Sequence, residues 1–248
     1  MTIEKGSQIE FASEFDIENF FNYQNPHHEE YQRLQQRLSR TGDFGHTQTE
    51  FADYWESIVE GIERNEQHQY AEFTPEERRQ IEDYLQRKLQ GHVLIDLGCG
   101  GAVLEYSGAL VVRLAQKFDV SRYVGIDAKT EISHTKLGAG PNRLHHFDKG
   151  YYIEDDMLLR LSRTPSDSAN LTINGIDSSI IRDPAYNDAL VAELVRVCRP
   201  EGIIFGVNSS VLGILGNESS RRNTKIRELK FITDPKPWKA RFFEKISE

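Results

Sequence analysis

The sequence predicts an α/β fold in which helices cover both faces of a mostly parallel sheet and a helical segment precedes the sheet. Three observations support this prediction. Apolar residues follow helical spacing up to about residue 90, short apolar runs alternate with helix-length segments from residue 92 onward, and a glycine-rich loop follows the first of those runs. Strands separated by helices imply right-handed crossovers between parallel neighbours.

The N-terminal third is predicted to be helical, because apolar side chains recur there at intervals of three and four residues. The last helix of this part has a defined start, since Thr74 can cap it, Pro75 suits its first turn and Glu77 can return a hydrogen bond to the cap. Gly91 is placed to end it. The apolar faces are Tyr31, Leu34 and Leu38; Phe51, Trp55, Ile58 and Ile62; and Ile81, Leu85 and Leu89.

Seven strands are predicted after residue 92. Five apolar runs alternate with helical segments, and the helix before the fifth run is closed by Pro200 and Gly202. The last two runs, 228–233 and 238–246, are separated by a proline-rich turn, which predicts an antiparallel C-terminal hairpin at one edge of the sheet. The five parallel strands are expected at 93–95, 123–126, 151–153, 171–173 and 203–207.

The charge of the chain argues against a polyanionic partner. The net charge is −9, and residues 1–90 carry 9 basic against 19 acidic side chains. Residues 221–248 reverse this balance, with 9 basic and 4 acidic residues, but a basic stretch this short is more typical of a solvated surface. We therefore expect no nucleic-acid partner.

Composition also bears on compartment and metal content. Two cysteines, Cys99 and Cys198, are too few for a disulfide framework or a thiolate metal site, and no HExxH spacing occurs, so no metal is expected. No stretch is apolar enough for a membrane span, and the first residues lack the basic start and apolar run of a secretory signal. These observations predict a cytoplasmic protein without a membrane partner.

The glycine loop follows the first predicted strand in the stretch VLIDLGCGGA. Gly98, Gly100 and Gly101 lie where backbone approaches a ligand beyond the carboxyl ends of parallel strands. Their spacing is neither GxGxxG nor GxxxxGK[ST]. A carboxylate at Asp96 would repel a pyrophosphate and would suit a ligand that carries an ammonium or sulfonium group. The loop therefore favours a cationic cofactor.

Asp96-Leu97-Gly98-Cys99-Gly100-Gly101-Ala102 resembles motif I of the class I S-adenosylmethionine-dependent methyltransferases, with Ala102 in place of the last glycine. The resemblance covers about residues 74–248 and implies a Rossmann-like seven-stranded sheet. Three further stretches fit it in order: the second strand ending at Asp127, Asp155-Asp156-Met157 after the third, and 196–202 before the fifth, with Glu201 replacing a glycine.

The resemblance implies S-adenosylmethionine as cofactor and assigns several residues to it. Asp127 would accept hydrogen bonds from the ribose hydroxyls, and Asp156 would read the adenine amino group. Asn174, after the fourth strand, would face the methyl group. The cofactor-binding set is Asp96, Gly98, Cys99, Gly100, Gly101, Asp127, Ala128, Asp156, Met157 and Asn174.

Three residues are candidates for a catalytic role. Asn174 and Asp177 follow the fourth strand, and His134 follows the second and could accept a proton during hydroxyl methylation. The stretch Asp183-Pro184-Ala185-Tyr186 is similar to the DPPY box of amino methyltransferases. It lies some ten residues beyond the fourth strand, and Asp-Pro also fits a helix cap followed by a first-turn proline, which we favour.

Residues 1–73 bear on the acceptor. They hold 12 of the 25 aromatic side chains, which must be buried either as core or as a roof over the cofactor cleft. In the resembled family such helices commonly form a lid, so we expect 1–73 to enclose a small-molecule acceptor above a methyltransferase domain at 74–248. Two alternatives stay open: a cofactor-binding partner protein without turnover, and a protein or nucleic-acid methyltransferase.

Overall fold

A computed structural model describes residues 17–41, 55, 58–59, 74–99, 107–128, 149–176, 181–207, 209–221, 225–231 and 240–247. Within these ranges seven strands form one sheet in the order β3-β2-β1-β4-β5-β7-β6. The first five strands are parallel to one another, and β7 is antiparallel to both β5 and β6. The strands are β1 Val93–Leu97, β2 Arg122–Asp127, β3 Gly150–Glu154, β4 Asn170–Ile173, β5 Ile203–Gly206, β6 Ile226–Leu229 and β7 Arg241–Lys245. The predicted fold class is confirmed.

Helices lie between the strands and pack on both faces of the sheet, as the crossovers require. Two short helical segments precede them in the N-terminal part. The helices are α1 Ile17–Phe20, α2 His28–Thr41, α3 Pro75–Leu89, α4 Ser107–Lys117, α5 Met157–Ser162, α6 Pro184–Val197 and α7 Ser210–Arg221. None of them is both long enough and apolar enough to cross a membrane.

Helix α3 begins as its sequence predicts. The Thr74 hydroxyl accepts a hydrogen bond from the Glu77 backbone N–H at 3.1 Å, and the Glu77 carboxylate accepts one from the Thr74 N–H at 2.8 Å. This reciprocal cap satisfies two backbone donors that the first turn leaves without helical partners. Gly91 follows the end of the helix with a φ of 72°, a conformation that costs glycine little.

The sheet separates two apolar cores. On one face, side chains of α2, α5, α6 and α7 pack against Ile95, Val124 and Leu171. On the other face, α3 and α4 pack against Leu94 and Tyr123, whose positions alternate with those of the first set. Both cores are therefore built from alternating residues of the same parallel strands.

The N-terminal segment contributes to both faces. Tyr31, Leu34 and Leu38 of α2 are buried in the core beside α5 and α6. Trp55 and Ile58 are buried in the opposite core, which contains α3 and α4. The described part of residues 1–73 is thus packed into the body of the fold, and the predicted face of Tyr31, Leu34 and Leu38 is confirmed. Phe51 and Ile62 of the second predicted face lie outside the described residues.

A buried carboxylate fastens α2 to α6. Glu193 is 3% exposed and accepts hydrogen bonds from the side chains of Asn25 at 2.8 Å and Tyr31 at 3.1 Å. Arg196 of the same helix donates to it as well. A buried charge needs such partners, so this cluster holds the N-terminal helices in one position on the sheet.

The last three strands differ in their bounds from the predicted ones. The strand predicted at 228–233 runs from Ile226 to Leu229, because the antiparallel register pairs Ile226 with Lys245 and Leu229 with Phe242. The fifth parallel strand ends at Gly206 and excludes Val207, whose N–H turns away from the ladder and donates to the Asn174 side chain at 3.1 Å. Of the predicted strand at 238–246, residues 241–245 form β7.

Candidate functional site

The loop after β1 is tied directly to the end of β2. The backbone N–H groups of Gly98 and Cys99 both donate to the carbonyl of Ile126, at 2.8 and 3.3 Å. Gly98 has a φ of 68°, which is strained for any residue with a Cβ. The glycine therefore turns the chain sharply at the carboxyl end of β1, where ligands of open α/β sheets bind.

Asp96 lies in the middle of the sheet with 1% of its surface exposed. Its Oδ2 accepts a hydrogen bond from the Tyr123 hydroxyl at 2.7 Å. Its Oδ1 is buried and has no hydrogen-bond partner among the described residues. Burial raises the pKa of Asp96 to about 7, against the hydrogen bond from Tyr123, and the charge of Asp127 raises it further. Among the described residues, one oxygen of this carboxylate thus has a hydrogen-bond partner and the other has none.

Cys99 packs over a glycine of the neighbouring strand. A Cβ placed on Gly125 would come within 2.9 Å of the Cys99 sulfur, so the close contact requires glycine in β2. Burial and the charge of Asp96 raise the pKa of the Cys99 thiol well above its usual value. The thiol therefore stays protonated and packs beside Asp96, and its assignment to the cofactor stays a prediction.

Asp127 and Ala128 lie at the carboxyl end of β2. Asp127 is partly exposed and Ala128 is exposed. The Asp127 carbonyl accepts a hydrogen bond from the Asp155 N–H at 3.0 Å, which brings the end of β3 beside it. A partly exposed carboxylate beside the glycine loop is placed for a polar ligand, and its assignment to the ribose stays a prediction.

Asp156 caps the helix that follows β3. One of its oxygens accepts a hydrogen bond from the Leu159 N–H at 3.0 Å, and the other accepts one from the Tyr186 hydroxyl at 2.9 Å. Burial raises its pKa in spite of these bonds. Met157 is the first residue of α5. Both oxygens of Asp156 thus already have protein partners, although each can accept a further bond.

The DPPY-like stretch has a structural role. Asp183 is the N-cap of α6 and accepts hydrogen bonds from the N–H groups of Ala185 and Tyr186, with Pro184 in the first turn. The interpretation of Asp183-Pro184 as a helix cap is confirmed. Tyr186 is buried and points to Asp156, so its ring fixes the cap of α5.

Asn174 follows β4 and is 4% exposed. Its amide oxygen accepts two hydrogen bonds, from the Trp55 indole N–H at 2.9 Å and from the Val207 N–H at 3.1 Å. Its amide nitrogen donates to the Thr172 hydroxyl at 3.0 Å. Both lone pairs of the amide oxygen are thus used, while the amide nitrogen carries a second N–H. The assignments of Asn174 to the cofactor and to catalysis stay predictions.

Trp55 is the residue that sequence reasoning missed at this site. The sequence placed it among the N-terminal aromatics that are buried either as core or as a roof over the cofactor cleft, and assigned it no contact at the site. The ring is fully buried and meets Phe205 and Phe242 edge to face, at centroid distances of 5.4 and 6.4 Å. The indole N–H was the available signal, because a buried tryptophan requires a hydrogen-bond acceptor.

Four predicted site residues lie outside the residues that the structure describes: Gly100, Gly101, Asp177 and His134. The assignments of these four stay predictions. Within the described ranges no group of three or more histidine, cysteine or acidic side chains is arranged to hold a metal ion.

The carboxyl ends of β1, β2 and β3 together form an acidic edge. Asp127 ends β2, Asp156 follows β3, and Asp96 is the last residue but one of β1. Asp155 also follows β3, where it pairs with Arg160 at 2.8 Å. Such an edge attracts a positive group and repels phosphates. A cationic group within hydrogen-bond distance of Asp96 would supply the partner that its Oδ1 lacks. The residues present therefore fit a cofactor with an ammonium and a sulfonium group.

Comparison with known proteins gives one relative of limited extent. No protein-family profile matches the chain. The U6 snRNA methylphosphate capping enzyme Amus of Drosophila melanogaster is 33% identical over 86 residues, which are 30% of this chain and 27% of that protein. The match thus spans about a quarter of the length of that relative.

Solved structures were compared as well. A Clostridium thermocellum protein assigned as an rRNA methylase has a TM-score of 0.49 and 17% identity, covering 71% of this chain and 99% of that chain. A Streptococcus mutans protein assigned as a methyltransferase, in complex with SAH, has a TM-score of 0.47 and 14% identity. The match covers 68% of this chain and 97% of that chain. A SAM-dependent O-methyltransferase from Thermotoga maritima has a TM-score of 0.44 and 12% identity, covering 78% and 72%.

Proposed function

We propose that this chain, whose mostly parallel seven-stranded sheet has the class I methyltransferase fold, transfers a methyl group from S-adenosylmethionine to an acceptor. The observation that carries the proposal is the half-satisfied carboxylate of Asp96 at the carboxyl end of β1. A buried charge without a full set of partners costs stability, and a cationic ligand removes that cost. Asp96 and its loop match motif I of the resembled family.

The cofactor would be held by residues of three adjacent strand ends. Asp96 would face the positive charge of the cofactor, Asp127 its ribose and Asp156 its adenine. The loop from Gly98 to Gly101 would lie along the cofactor. The bound cofactor supplies a methyl group on a positively charged sulfur, which is already activated for displacement.

The protein then contributes by positioning the acceptor and by excluding water. Displacement at the methyl carbon requires the acceptor atom close to the carbon and in line with the leaving sulfur, and a fixed geometry supplies much of the rate. A general base is needed only when the acceptor carries a proton that must leave first. His134 and Asp177 are our candidates for that role, and Asn174 orients the site through its neighbours.

For the acceptor we propose a small molecule enclosed in part by residues 1–73. Two observations support this choice. Trp55 of that segment reaches the end of β4 and donates to Asn174, and the acidic side chains of residues 1–90 would repel a polyanion. Helices α1 and α2 and the Trp55 ring pack in the two cores, and the enclosing role of the segment rests on the contact of Trp55 with the end of β4.

An RNA acceptor is the second candidate, because the Drosophila relative is named for a cap on U6 snRNA. The basic C-terminal stretch gives this candidate little support. Arg227 pairs with Glu244 at 2.6 Å, and Arg241 pairs with Glu228 at 2.8 Å. Cations held by ion pairs within the fold are poorly placed to contact phosphates.

Calorimetric titration of the full chain with S-adenosylmethionine tests the proposal. We expect binding that S-adenosylhomocysteine displaces. The bound protein is then incubated with two fractions of cell extract, small molecules and total RNA, and S-adenosylhomocysteine production is followed. Turnover with the small-molecule fraction supports the first candidate, turnover with RNA the second, and binding without turnover identifies a partner protein. No binding contradicts the proposal.

A further inference from the structure

A hydrogen-bonded junction joins the first turns of α5 and α6 after the end of β3. We call it the Asp156 junction and define it as Asp155, Asp156, Leu158, Leu159 and Tyr186. Asp156 is the N-cap of α5, and Tyr186 lies in the first turn of α6. Their side chains meet between the two helices, although the residues are 30 positions apart. The junction therefore brings the DPPY-like stretch to the residue that we assign to the adenine.

The direction of the Tyr186 hydroxyl is fixed by its two partners. The Leu158 backbone N–H donates to the hydroxyl oxygen at 3.4 Å, and Oδ2 of Asp156 lies 2.9 Å from the same oxygen. Because the N–H can only donate, the hydroxyl gives its own proton to the carboxylate. Tyr186 is 1% exposed, and burial raises its pKa well above the usual value, so this proton stays in place near neutral pH.

Asp156 is held as an acceptor at both of its oxygens. Oδ1 accepts a hydrogen bond from the Leu159 N–H at 3.0 Å, and Oδ2 accepts the one from Tyr186. Both bonds stabilise the charged form and oppose the effect of burial on the pKa of this carboxyl. The side chain is partly exposed, so a ligand can reach the lone pairs that remain.

The neighbouring carboxylate, Asp155, has a different role. Its Oδ1 accepts a hydrogen bond from the Asp156 backbone N–H at 2.8 Å, and its Oδ2 pairs with Arg160 at 2.8 Å. Asp155 therefore serves the start of α5, and Asp156 is the better placed of the two to receive a ligand.

An oxygen that accepts and cannot donate distinguishes two kinds of purine. The 6-amino group of adenine donates hydrogen bonds, whereas a carbonyl at the same position only accepts them. We propose that Tyr186 is a positioning residue for adenine recognition: by donating to Asp156 it holds that carboxylate as an acceptor, so the site binds an adenine and rejects a 6-oxopurine. Tyr186 thus selects the base of the cofactor, a role that rests on the proposed function and on the assignment of Asp156 to the adenine.

The cap of α6 holds the turn that carries Tyr186. Asp183 accepts hydrogen bonds from the backbone N–H groups of Ala185 at 2.9 Å and Tyr186 at 3.3 Å. It also pairs with Arg37 of α2 at 2.9 Å, but the Arg37 side chain is 58% exposed, so that pair contributes little. The capping bonds therefore fix the first turn of α6 and with it the position of the Tyr186 ring.

Removal of the Tyr186 hydroxyl should weaken discrimination between the two kinds of base. Without this donor, Oδ2 of Asp156 loses a partner, and the carboxyl turns and takes up a proton more easily. A protonated carboxyl can donate to a carbonyl, so a 6-oxopurine then binds relatively better. A loss of core packing alone would weaken the binding of both ligands alike.

The experiment compares S-adenosylhomocysteine with S-inosylhomocysteine, in which a carbonyl replaces the 6-amino group. Calorimetry at pH 7.5 measures both affinities for the full chain, for Tyr186→Phe and for Tyr31→Phe. Tyr31→Phe is the matched control, because it removes a hydroxyl that donates to another carboxylate, Glu193, at 3.1 Å in the same core. We expect wild-type protein and Tyr31→Phe to prefer the adenosyl ligand at least tenfold. Tyr186→Phe should lower that preference by about threefold to tenfold.

A double-mutant cycle tests whether Tyr186 acts through Asp156. Asp156→Ala should remove most of the preference for the adenosyl ligand, because the acceptor is gone. Tyr186→Phe added to Asp156→Ala should then change the ratio of the two affinities no further. A second, equal loss of preference in the double variant would overturn the inference.

A variant of the α6 cap decides the question if Tyr186→Phe does not fold. Asp183→Ala loosens the first turn of α6 and should lower the preference about twofold, whereas Asp183→Asn still caps the helix and should keep it. The inference is overturned by wild-type protein that binds both ligands equally, or by an unchanged preference in folded Tyr186→Phe or, failing that variant, in Asp183→Ala. Wild-type protein that binds neither ligand overturns the proposed function.

Discussion

Two carboxylates near the ends of β1 and β3, which lie on either side of β2, have different hydrogen-bond environments. Asp156, after β3, has each oxygen bonded, one to a backbone N–H of its own helix and one to Tyr186. Asp96, in β1, is more deeply buried, and one oxygen has no partner among the described residues. The first is occupied in holding the fold together. Asp96 has one oxygen to which a ligand can donate a hydrogen bond.

The difference shows that the role of a motif residue depends on its hydrogen-bond partners in the fold. Burial raises the pKa of both side chains. What distinguishes them is the number of donors that support the charged form. Removing Asp156 should harm the fold as well as adenine binding, whereas neutralising Asp96 should harm binding and stabilise the fold.

The largest expected effect is on stability at high pH. The pKa of Asp96 is raised from 3.8 to about 7, so the folded state holds a proton that the unfolded state has lost between these values. The contribution of Asp96 therefore makes the protein less stable as pH rises from about 4 to about 7. Asp96→Asn should be more stable than wild type by up to about 4 kcal/mol at pH 8 and by little at pH 4. Urea unfolding of both proteins at pH 4 and pH 8 measures this difference. An equal difference in the free energy of unfolding at the two pH values would contradict the prediction.

The next effect is on binding by the same variant. Asp96→Asn keeps the size of the side chain and removes the charge that we assign to the cationic cofactor. We expect S-adenosylmethionine affinity at pH 7.5 to fall by about 2–4 kcal/mol. Calorimetry checks this, with Asp83→Asn on α3 as a charge-matched control that should bind as wild type does. Wild-type affinity in Asp96→Asn would refute the assignment.

A smaller loss is expected for Asp127→Ala. Removing its hydrogen bonds to the ribose should weaken cofactor binding by about 1.5–3 kcal/mol without changing the unfolding midpoint. Glu154 provides the matched control, because it is exposed and is the register partner of Asp127 in β3. Equal weakening by Asp127→Ala and Glu154→Ala would indicate a general charge effect and would remove Asp127 from the site.

The smallest effects test the structural role of Asp156. Asp156→Ala removes the cap of α5 and should lower the free energy of unfolding by about 0.5–2 kcal/mol. Tyr186→Phe removes one bond to the same carboxylate and should cost about 0.5–1.5 kcal/mol. Urea unfolding of both variants measures these losses. If Asp156→Ala left stability unchanged and only cofactor binding fell, Asp156 would resemble Asp96 and the contrast would fail.

Sequence patterns predicted the fold well, because helices and strands follow local periodicity. The capping box at Thr74 and the cap at Asp183 form as their residue types require. The motifs also placed Asp96, Asp127 and Asp156 at adjacent strand ends. The ends of the strands in the hairpin were predicted less well. The register between β6 and β7 determines these ends, whereas the apolar pattern of the sequence does not.

The connection from Trp55 to Asn174 could not be predicted from the sequence. The two residues are 119 positions apart, and nothing in the local pattern of either indicates the other. The same holds for Tyr123, whose hydroxyl supports Asp96 from a neighbouring strand. Such contacts depend on tertiary packing, which brings a buried donor and a buried acceptor together wherever the fold allows.

The central claim is that the acidic edge accepts a positively charged sulfur nucleoside and excludes phosphates. Competition binding at pH 7.5 tests it most directly, with S-adenosylmethionine as the bound ligand and S-adenosylhomocysteine, NADH and ATP as competitors. We predict displacement by S-adenosylhomocysteine and none by NADH or ATP. Tight binding of NADH or ATP, with no affinity for S-adenosylmethionine, would contradict the claim.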